Sequence, residues 1–387
     1  MKITCTQENL KRGLNSVSHI ASKNTSLPIL SNVLIKADKG SVSLTTTNLE
    51  IGIRCLVRAK IYKDGSFTVN SKLLTDFINL LPNEKIDLEL KDDMLEVWTE
   101  NQETKMKGDS AEDFPLIPQV VKKSAYTCRV EDLLKAFTQV LFAVSVSETR
   151  PEISGVYFNF SENNLTIAAT DSYRLAEKKI RLSENVKEEK EVIIPARTIQ
   201  ELFRILSSYS GSAIGEEEPV SLDKIDIYFE ENQVLFVFNN IELVSRIIEG
   251  QYPNYKQIIP TTHKTKAIVN IAEFVKAAKT ASLFSRTGIY DVNLELKDGK
   301  ITVFSTNSQM GESKSKVNGK IEGDNNKVVI NYRYLLDGLQ NTDSTDVIFE
   351  MIDAANPCVL RPAESLDEKK EAIAAEDYLY IIMPIKQ

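Results

Sequence analysis

The sequence predicts an α+β chain made of three copies of one domain plan. Two kinds of segment recur three times and support this fold class. The first kind joins a short strand to an amphipathic helix and begins at Ile3, Tyr126 and Ala267. The second kind joins a β-branched strand directly to another helix and begins at Phe67, Val192 and Val328. Self-similarity at a regular spacing is typical of a repeated architecture, so we expect three similar domains.

The first helix of each repeat carries an apolar stripe. In the first copy, Leu10, Leu14 and Val17 fall at i, i+4 and i+7, which places them on one helix face. The equivalent residues of the other copies are Leu133, Phe137 and Val140, then Phe274, Ala278 and Ala281. We therefore expect each first helix to pack this stripe against a core.

Alternating strands are predicted between and after the helices. Examples lie at Val156–Phe160, Lys224–Glu230, Gln233–Phe238 and Val292–Lys297. Asp298-Gly299 follows the last of these and is a strong hairpin signal. Each repeat thus reads β-α-β-β-β-α followed by more strands, and its length of about 125 to 140 residues suits one domain.

Stretches that contain proline and aromatic residues mark the ends of the first two repeats. They are Asp113–Pro118 and Gln251–Pro260. The boundaries should fall near Val120–Ser124 and Pro260–Lys264, which gives domains 1–121, 122–262 and 263–387. Glu364–Asp377 is a charged insertion in the third repeat and is expected to be a solvated loop.

A turn of the type Thr-Asx also repeats. It occurs at Thr47-Asn48, Thr170-Asp171 and Thr306-Asn307. Asp171 could serve as a catalytic carboxylate, but two asparagines occupy the equivalent positions, which favours a structural Asx turn. Only the middle copy continues with the sequence Tyr173-Arg174-Leu175.

Composition narrows the class of protein. With 387 residues, 42% apolar and 26% charged, the chain is typical of a soluble protein with more than one core. It has no apolar run of roughly 20 residues that could span a bilayer, and its start lacks the core of a signal peptide. Four dispersed cysteines predict neither disulfides nor a thiolate metal site, and they indicate the cytosol: Cys5, Cys55, Cys128 and Cys358.

An enzyme is the main rival class, and the sequence does not favour it. The only two histidines, His19 and His263, lie in no recognisable motif and are expected at the surface. The chain has no phosphate-binding glycine loop, dinucleotide fingerprint or zinc-protease motif. We therefore expect no catalytic residues, no metal and no cofactor.

Two aligned positions are basic in all three repeats, although the net charge of −8 would argue against a nucleic-acid partner. On the first helices they are Arg12, Lys135 and Lys276, and on the second helices Lys72, Arg197 and Arg333. The first set lies roughly 200° around the helix from the stripe. The second set puts a cation at the positive end of the helix dipole, which disfavours the helix. Ordinary solvated cations are one reading; a basic lining that touches phosphates without reading bases is the other.

The sequence resembles the bacterial sliding clamp family, the β subunit of DNA polymerase III, from end to end. The motifs that carry the resemblance are Ser26–Ile35, Glu112–Pro118, Ile153–Phe158, Ala169–Ala176, Val192–Arg197, Glu249–Pro260 and Tyr380–Lys386. It implies three DNA-clamp domains per chain and a head-to-tail homodimer closed into a ring. Helices would line the inner face and antiparallel sheets the outside.

The resemblance also implies a function. The ring would encircle double-stranded DNA without sequence specificity and act as a processivity factor in DNA replication. It would tether the polymerase III catalytic subunit, the clamp loader and other proteins that carry short apolar peptides. Lys23 matches a region that contacts DNA in the family. The alternative is a monomeric three-domain scaffold that does not encircle DNA.

Two further sites follow from the resemblance. Met106, Leu283 and Phe284 match the dimer interface by position. A peptide pocket would use Arg150, Ile153, Thr170, Ser172, Tyr173, Arg174, Leu175, Pro253, Tyr255, Ile258, Ile381, Met383, Pro384 and Ile385. In it, Arg174 would meet a carbonyl or acidic group of the peptide, with Arg150 at the rim. The chain departs from the family at Ser172-Tyr173, often Gly-His, and at Pro151-Glu152, which replaces aromatic residues.

Overall fold

The computed structural model describes residues 1–21, 26–147, 149–210, 223–364 and 373–386. Lys23 and the middle of the charged insertion Glu364–Asp377 lie outside these residues. Part of that insertion is described, and it pairs as strands where a loop was expected: Glu364 lies opposite Ile373. Among the described residues, no helix is long and apolar enough to span a membrane.

The first repeat contains nine strands and two α-helices. They are β1 (Lys2–Thr6), α1 (Gln7–Val17), β2 (Asn32–Asp38), β3 (Ser41–Thr47), β4 (Ile51–Val57), β5 (Lys60–Lys63), β6 (Gly65–Asn70), α2 (Ser71–Leu80), β7 (Lys85–Lys91), β8 (Met94–Trp98) and β9 (Glu103–Asp109).

The middle and last repeats follow the same order of elements. The middle repeat has β10 (Tyr126–Arg129), α3 (Val130–Val140), β11 (Gly155–Ser161), β12 (Asn164–Thr170), β13 (Arg174–Arg181), β14 (Lys190–Pro195), α4 (Ala196–Ser210), β15 (Lys224–Glu230), β16 (Gln233–Phe238) and β17 (Ile241–Arg246). The last repeat has β18 (Thr265–Asn270), α5 (Ile271–Ser282), β19 (Asp291–Lys297), β20 (Lys300–Asn307), β21 (Gly311–Gly323), β22 (Asn326–Asn331), α6 (Tyr332–Gln340), β23 (Asp346–Met351), β24 (Cys358–Glu364), β25 (Ile373–Ala374) and β26 (Tyr378–Ile382).

The chain divides into two compact units, and the division cuts the middle repeat. The first unit contains Met1–Val130 and Arg197–Ile247, and the second contains Glu131–Ala196 and Ile248–Gln387. Each unit is built on one antiparallel sheet. The order in the first is β10-β15-β16-β17-β4-β3-β2-β6-β9-β8-β7-β1-β5. The order in the second is β14-β11-β12-β13-β26-β24-β23-β18-β21-β20-β19-β22, with β25 beside β24.

Both sheets cross a repeat boundary. In the first unit, β17 of the middle repeat pairs with β4 of the first, and Val244 lies opposite Gly52. In the second unit, β13 of the middle repeat pairs with β26 of the last, and Leu175 lies opposite Ile381. Pairing of this kind leaves neither strand with a free edge at the junction.

The predicted apolar stripes are the residues through which the first helices pack into the cores. All nine stripe residues of α1, α3 and α5 are buried. The side chain of Thr6 caps α1 by accepting from the N–H of Asn9, and the side chain of Asn270 caps α5 by accepting from that of Glu273. These caps satisfy helix-end N–H groups that would otherwise lack partners.

The structure confirms the predicted order of strands and helices, with additional strands between the two helices of each repeat. The Asp298-Gly299 hairpin joins β19 to β20, with positive φ at both turn residues. Four strands, not three, separate the helices in the last two repeats, and the first repeat has five. The prediction missed β13 because Glu177, Lys178 and Lys179 interrupt the apolar alternation of that strand.

Candidate nucleic-acid and peptide interfaces

The cations of the first helices occupy one structural position. Arg12, Lys135 and Lys276 are each the sixth residue of their helix, α1, α3 and α5. They lie off the buried stripe, as the spacing predicts. Arg12 pairs with Glu8 at 3.2 Å, and Lys135 pairs with Asp343. The hydrogen bond that Lys135 donates to the Asp343 carboxylate raises the pKa of Lys135.

The cations of the second helices also occupy one position. Lys72, Arg197 and Arg333 are each the second residue of their helix, α2, α4 and α6, and all three are exposed. The N-cap side chain of Asn70 accepts from the N–H of Leu73 at 2.9 Å. The start of α2 is therefore capped by a polar side chain. Lys72 lies at the positive end of the helix dipole, so its charge does not stabilise the helix. The guanidinium of Arg333 lies 3.6 Å from the centre of the Tyr290 ring.

The middle Thr-Asx turn is held by its own backbone. The Asp171 carboxylate accepts from the N–H groups of Tyr173 and Arg174 at 2.9 and 3.0 Å. Asn48 makes the equivalent bonds to Glu50 and Ile51, which confirms the structural role predicted for Asp171. The third residue of both turns has a positive φ, 78° at Ser172 and 77° at Leu49.

Arg174 is enclosed by side chains of the same unit. Its Nε donates to Asp171 at 2.9 Å, and its Nη1 donates to Asp337 of α6. Its guanidinium lies 4.6 Å from the centre of the Tyr334 ring, and its side chain is only 12% exposed. Arg174 therefore links β13 to α6, with one partner, Asp337, that is itself partly exposed. Its predicted contact with a bound peptide stays a prediction.

Sequence reasoning missed Asp337 and Tyr334 as partners of Arg174. A signal was present, because an acidic residue follows each helix-start cation by four positions. These residues are Asp76, Glu201 and Asp337. Such spacing suggests an i,i+4 pair within one helix, whereas Asp337 instead binds an arginine 163 residues away in the chain.

Part of the predicted peptide pocket lies in the core. Leu175, Tyr255 and Ile381 belong to one buried cluster, and Ile153 and Thr170 are buried as well. The Tyr255 hydroxyl donates to Glu177 at 2.6 Å, and burial followed by this carboxylate raises the pKa of Tyr255. These five side chains support the surface and do not themselves face solvent.

The remaining pocket residues are accessible. Tyr173 is 64% exposed, and Arg150 donates to the hydroxyl of Ser172 at 2.9 Å. The chain end is fixed by the N–H of Met383, which donates to the carbonyl of Tyr173 at 2.8 Å. The accessible members of the set are Arg150, Ser172, Tyr173, Pro253, Ile258, Met383, Pro384 and Ile385.

Comparison with known families decides the relationship. The family models that match describe the DNA polymerase III beta subunit, with its N-terminal domain at residues 1–118, its central domain at 127–254 and its C-terminal domain at 256–375. A beta sliding clamp of Staphylococcus aureus is 33% identical over 373 residues, which is 94% of this chain and 96% of that protein. The chain belongs to the bacterial sliding clamp family.

Solved structures of sliding clamps have the same fold. The Bacillus subtilis DNA polymerase sliding clamp matches with a TM-score of 0.88 and 27% identity, over 100% of this chain and 99% of that one. A Pseudomonas aeruginosa sliding clamp bound to griselimycin matches over 100% of both chains with a TM-score of 0.90 and 22% identity. The three clamp domains are thereby confirmed. Because the chain belongs to this family, its function is that of a DNA sliding clamp. The alternative, a scaffold that does not encircle DNA, is not favoured.

The residues expected at the clamp's dimer interface differ in exposure. Leu283 is 66% exposed and Phe284 is partly exposed, as surface contacts should be. Met106 is 3% exposed, because it is the inward-facing residue of β9. Its side chain therefore belongs to the core of the first unit, and its place at the dimer interface stays a prediction.

The segment that carries Leu283 and Phe284 is anchored by an ion pair. Arg286 donates from Nε to Asp291 at 2.9 Å and from its backbone N–H at 3.2 Å. Burial alone would raise the pKa of Asp291, but these hydrogen bonds hold it below its usual value. The turn after α5 is thus tied to the start of β19.

The four cysteines are buried and form no disulfide. Burial raises the pKa of the Cys5, Cys55 and Cys358 thiols to about 12. Within the described ranges, no group of three or more His, Cys, Asp or Glu is placed to hold a metal ion.

Proposed function

We propose that two copies of the chain close head to tail into a ring that encircles duplex DNA and slides along it without reading its sequence. Membership of the sliding clamp family supports this proposal. The observation that carries it is the threefold recurrence of cations at the sixth residue of each first helix and the second residue of each second helix. Lys23 is a further candidate contact by its match to the family.

Contacts of these cations with DNA would be made to phosphates. Lysine and arginine side chains on helices give salt-dependent affinity without sequence preference. Because six helix cations per chain are few and two of them pair with carboxylates, direct affinity is weak and retention comes from enclosure. In replication such a ring keeps the polymerase on its template and has no catalytic step or cofactor of its own. It acts in the cytoplasm, with the bacterial DNA.

Retention on circular DNA tests the ring. The protein is loaded on a nicked circular plasmid with a clamp loader, and the bound fraction is measured by gel filtration before and after linearisation. We expect the protein to remain on the circle and to be lost from the linear form. Equal retention on both forms would refute enclosure.

We further propose that partner peptides dock on the accessible side chains beside the middle Thr-Asx turn. Tyr173, Ile258 and Met383 offer apolar surface above a buried cluster, and Arg150 supplies a charged edge. Apolar surface with a few polar groups suits a peptide, and methionine adapts to varied side chains. The partners are the polymerase III catalytic subunit, the clamp loader and other proteins with short apolar clamp-binding segments.

Deletion of Met383–Gln387 tests the peptide site. It removes the chain end that is bonded to Tyr173 and leaves every helix intact. We expect the ring to form and to enclose DNA but to lose affinity for a peptide copied from the polymerase. Leu80→Ala, at an 83% exposed site on α2, serves as a matched control that keeps binding. Unchanged affinity in the deletion variant would exclude this location.

A further inference from the structure

A cavity lies in the first unit, at the junction between the first and middle repeats. Its volume is about 430 Å³. One wall is the segment Phe114–Val120, and the other is formed by strands β4, β16 and β17. Most of the lining is apolar, and Leu116 at its mouth is 98% exposed.

This cavity occupies the same place in its sheet as the peptide site in the other unit. At the first junction, Val244 pairs with Leu235 on one side and with Gly52 on the other. At the second junction, Ile381 pairs in the same way with Val359 and Leu175. The three equivalences, Val244 with Ile381, Leu235 with Val359 and Gly52 with Leu175, come from strand pairing alone.

The covering segments correspond as well. Ile117 packs on the buried cluster of Val120, Leu235 and Val244. Ile259 packs in the same manner on the cluster that contains Val359 and Ile381. The residues that precede them are Leu116 and Ile258, and Leu116 is the more exposed, at 98% against 44%.

The two junctions differ at one residue of the strand after the Thr-Asx turn, and this difference leaves space at the first junction. Gly52 stands where the second junction has Leu175, so no side chain rises from β4 at this point. A Cβ atom at Gly52 would lie 2.9 Å from Ile117 and 3.1 Å from Val244. The glycine therefore lets the covering segment lie close to the sheet while space remains beside it.

The charges at the mouth indicate what kind of segment would bind. The charged residues that line the cavity are Arg54, Lys122 and Glu242. Lys122 pairs with Glu242 at 2.8 Å, and Arg54 lies 3.9 Å from the same side chain. Two cations share one carboxylate, so a positive charge is left over. An acidic group would compensate it.

We propose that this cavity is a second peptide-binding site, for a short segment with two adjacent apolar side chains next to an acidic residue. Leu116, Ile117 and Val244 would contact the apolar side chains, and Arg54 and Lys122 the acidic one. Glu177 and Leu379 stand at the positions of Arg54 and Glu242 in the second junction, so the two sites differ in charge and select different peptides. The correspondence between the junctions rests on the peptide site proposed above, whereas the cavity and its charges do not.

The test uses two fluorescein-labelled hexapeptides, Gly-Asp-Leu-Leu-Ser-Gly and Gly-Lys-Leu-Leu-Ser-Gly. Binding is measured by fluorescence anisotropy on the variant that lacks Met383–Gln387, in which the other site is disabled. We expect the aspartate peptide to bind and the lysine peptide to bind about tenfold more weakly. Absence of binding by either peptide overturns the proposal.

Two point variants in the same background locate the binding. Leu116→Asp should abolish it, and Lys122→Glu should reverse the preference between the two peptides. Leu80→Asp is the matched control, because it puts the same charge at another exposed leucine of the first unit, and it should change nothing. Binding that survives Leu116→Asp, or that Leu80→Asp weakens equally, contradicts the assignment. Loss in Leu116→Asp alone supports it.

Discussion

Arg174 stands where the other two repeats have Ile51 and Met310, and its surroundings explain the difference. In the middle repeat, the strand after the Thr-Asx turn meets a helix carboxylate from the next repeat, Asp337. A planar guanidinium can bridge two carboxylates and stack on a ring at once, which an aliphatic side chain cannot do. The residue that distinguishes the middle turn is thus a link between repeats.

Arg174→Lys tests this link. Lysine cannot keep the fork to Asp171 and Asp337 or the stacking on Tyr334, so we expect the free energy of unfolding to fall by about 1–2 kcal/mol. Urea titration followed by circular dichroism measures it. Arg181→Lys, at an exposed site on the same strand, is the control and should have little effect. Equal stability of the Arg174 variant would show that the link contributes nothing.

Ser172 carries backbone strain that a glycine would relieve. Its φ of 78° lies in the left-handed region, where a side chain costs energy and glycine does not. We expect Ser172→Gly to raise the free energy of unfolding by about 0.5–1 kcal/mol. Ser154→Gly, at a φ of −79°, should lower it, and thermal melts compare the two. A destabilised Ser172→Gly variant would mean that the hydroxyl contact with Arg150 outweighs the strain.

Acid should weaken the anchor between Asp291 and Arg286. The pKa of Asp291 is lower in the folded chain than in the unfolded chain, so its contribution is fully present above the usual carboxyl pKa and is lost as pH falls through the folded value. We expect Asp291→Asn to melt at a lower temperature than the parent at pH 7, with a gap that narrows below about pH 4. Asp298→Asn, at an exposed turn, should track the parent throughout. A gap independent of pH would rule out this charge as its cause.

At the level of elements, the cations at helix starts should lower helix stability and strengthen DNA binding. Replacing Lys72 or Arg197 by Gln removes an unfavourable charge from the dipole, so each helix should gain about 0.3–1 kcal/mol. The same changes should weaken DNA binding and reduce the slope of log affinity against log salt by about one per contact. Thermal melts and salt-dependent filter binding measure the two effects. Lys297→Gln, on a strand end, is the control.

Elements were predictable where a local pattern defines them. Strand-then-helix segments and the stripe of Leu10, Leu14 and Val17 depend on spacing within a dozen residues, and the structure confirms them. The partner of Arg174 and the burial of Met106 were not predictable, because both depend on which strands become neighbours. Local sequence contains little information on pairing between distant segments. The sequence therefore predicted which region forms the site. Which of its residues are exposed and which are buried became clear only from the structure.

For the whole molecule, the proposed dimer depends on the turn after α5. Leu283→Ala together with Phe284→Ala removes apolar groups worth about 1.5–3 kcal/mol per fully buried side chain. We expect a folded monomer, because neither side chain is fully buried in the single chain. Light scattering on a gel-filtration column gives the mass, and Leu80→Ala is the control. A dimer of normal mass would place the interface elsewhere.

The pairing of β13 with β26 also has a consequence for synthesis on the ribosome. Strand β13 is made long before its neighbour Tyr378–Ile382, and α5 and α6 of the last repeat are made in between. In the first unit, one edge of β4 likewise stays unpaired until Ile241–Arg246 has been made. Throughout translation one strand edge of the nascent chain stays open to other chains. A chain that lacks Tyr378–Ile382 therefore keeps that edge of β13 unpaired.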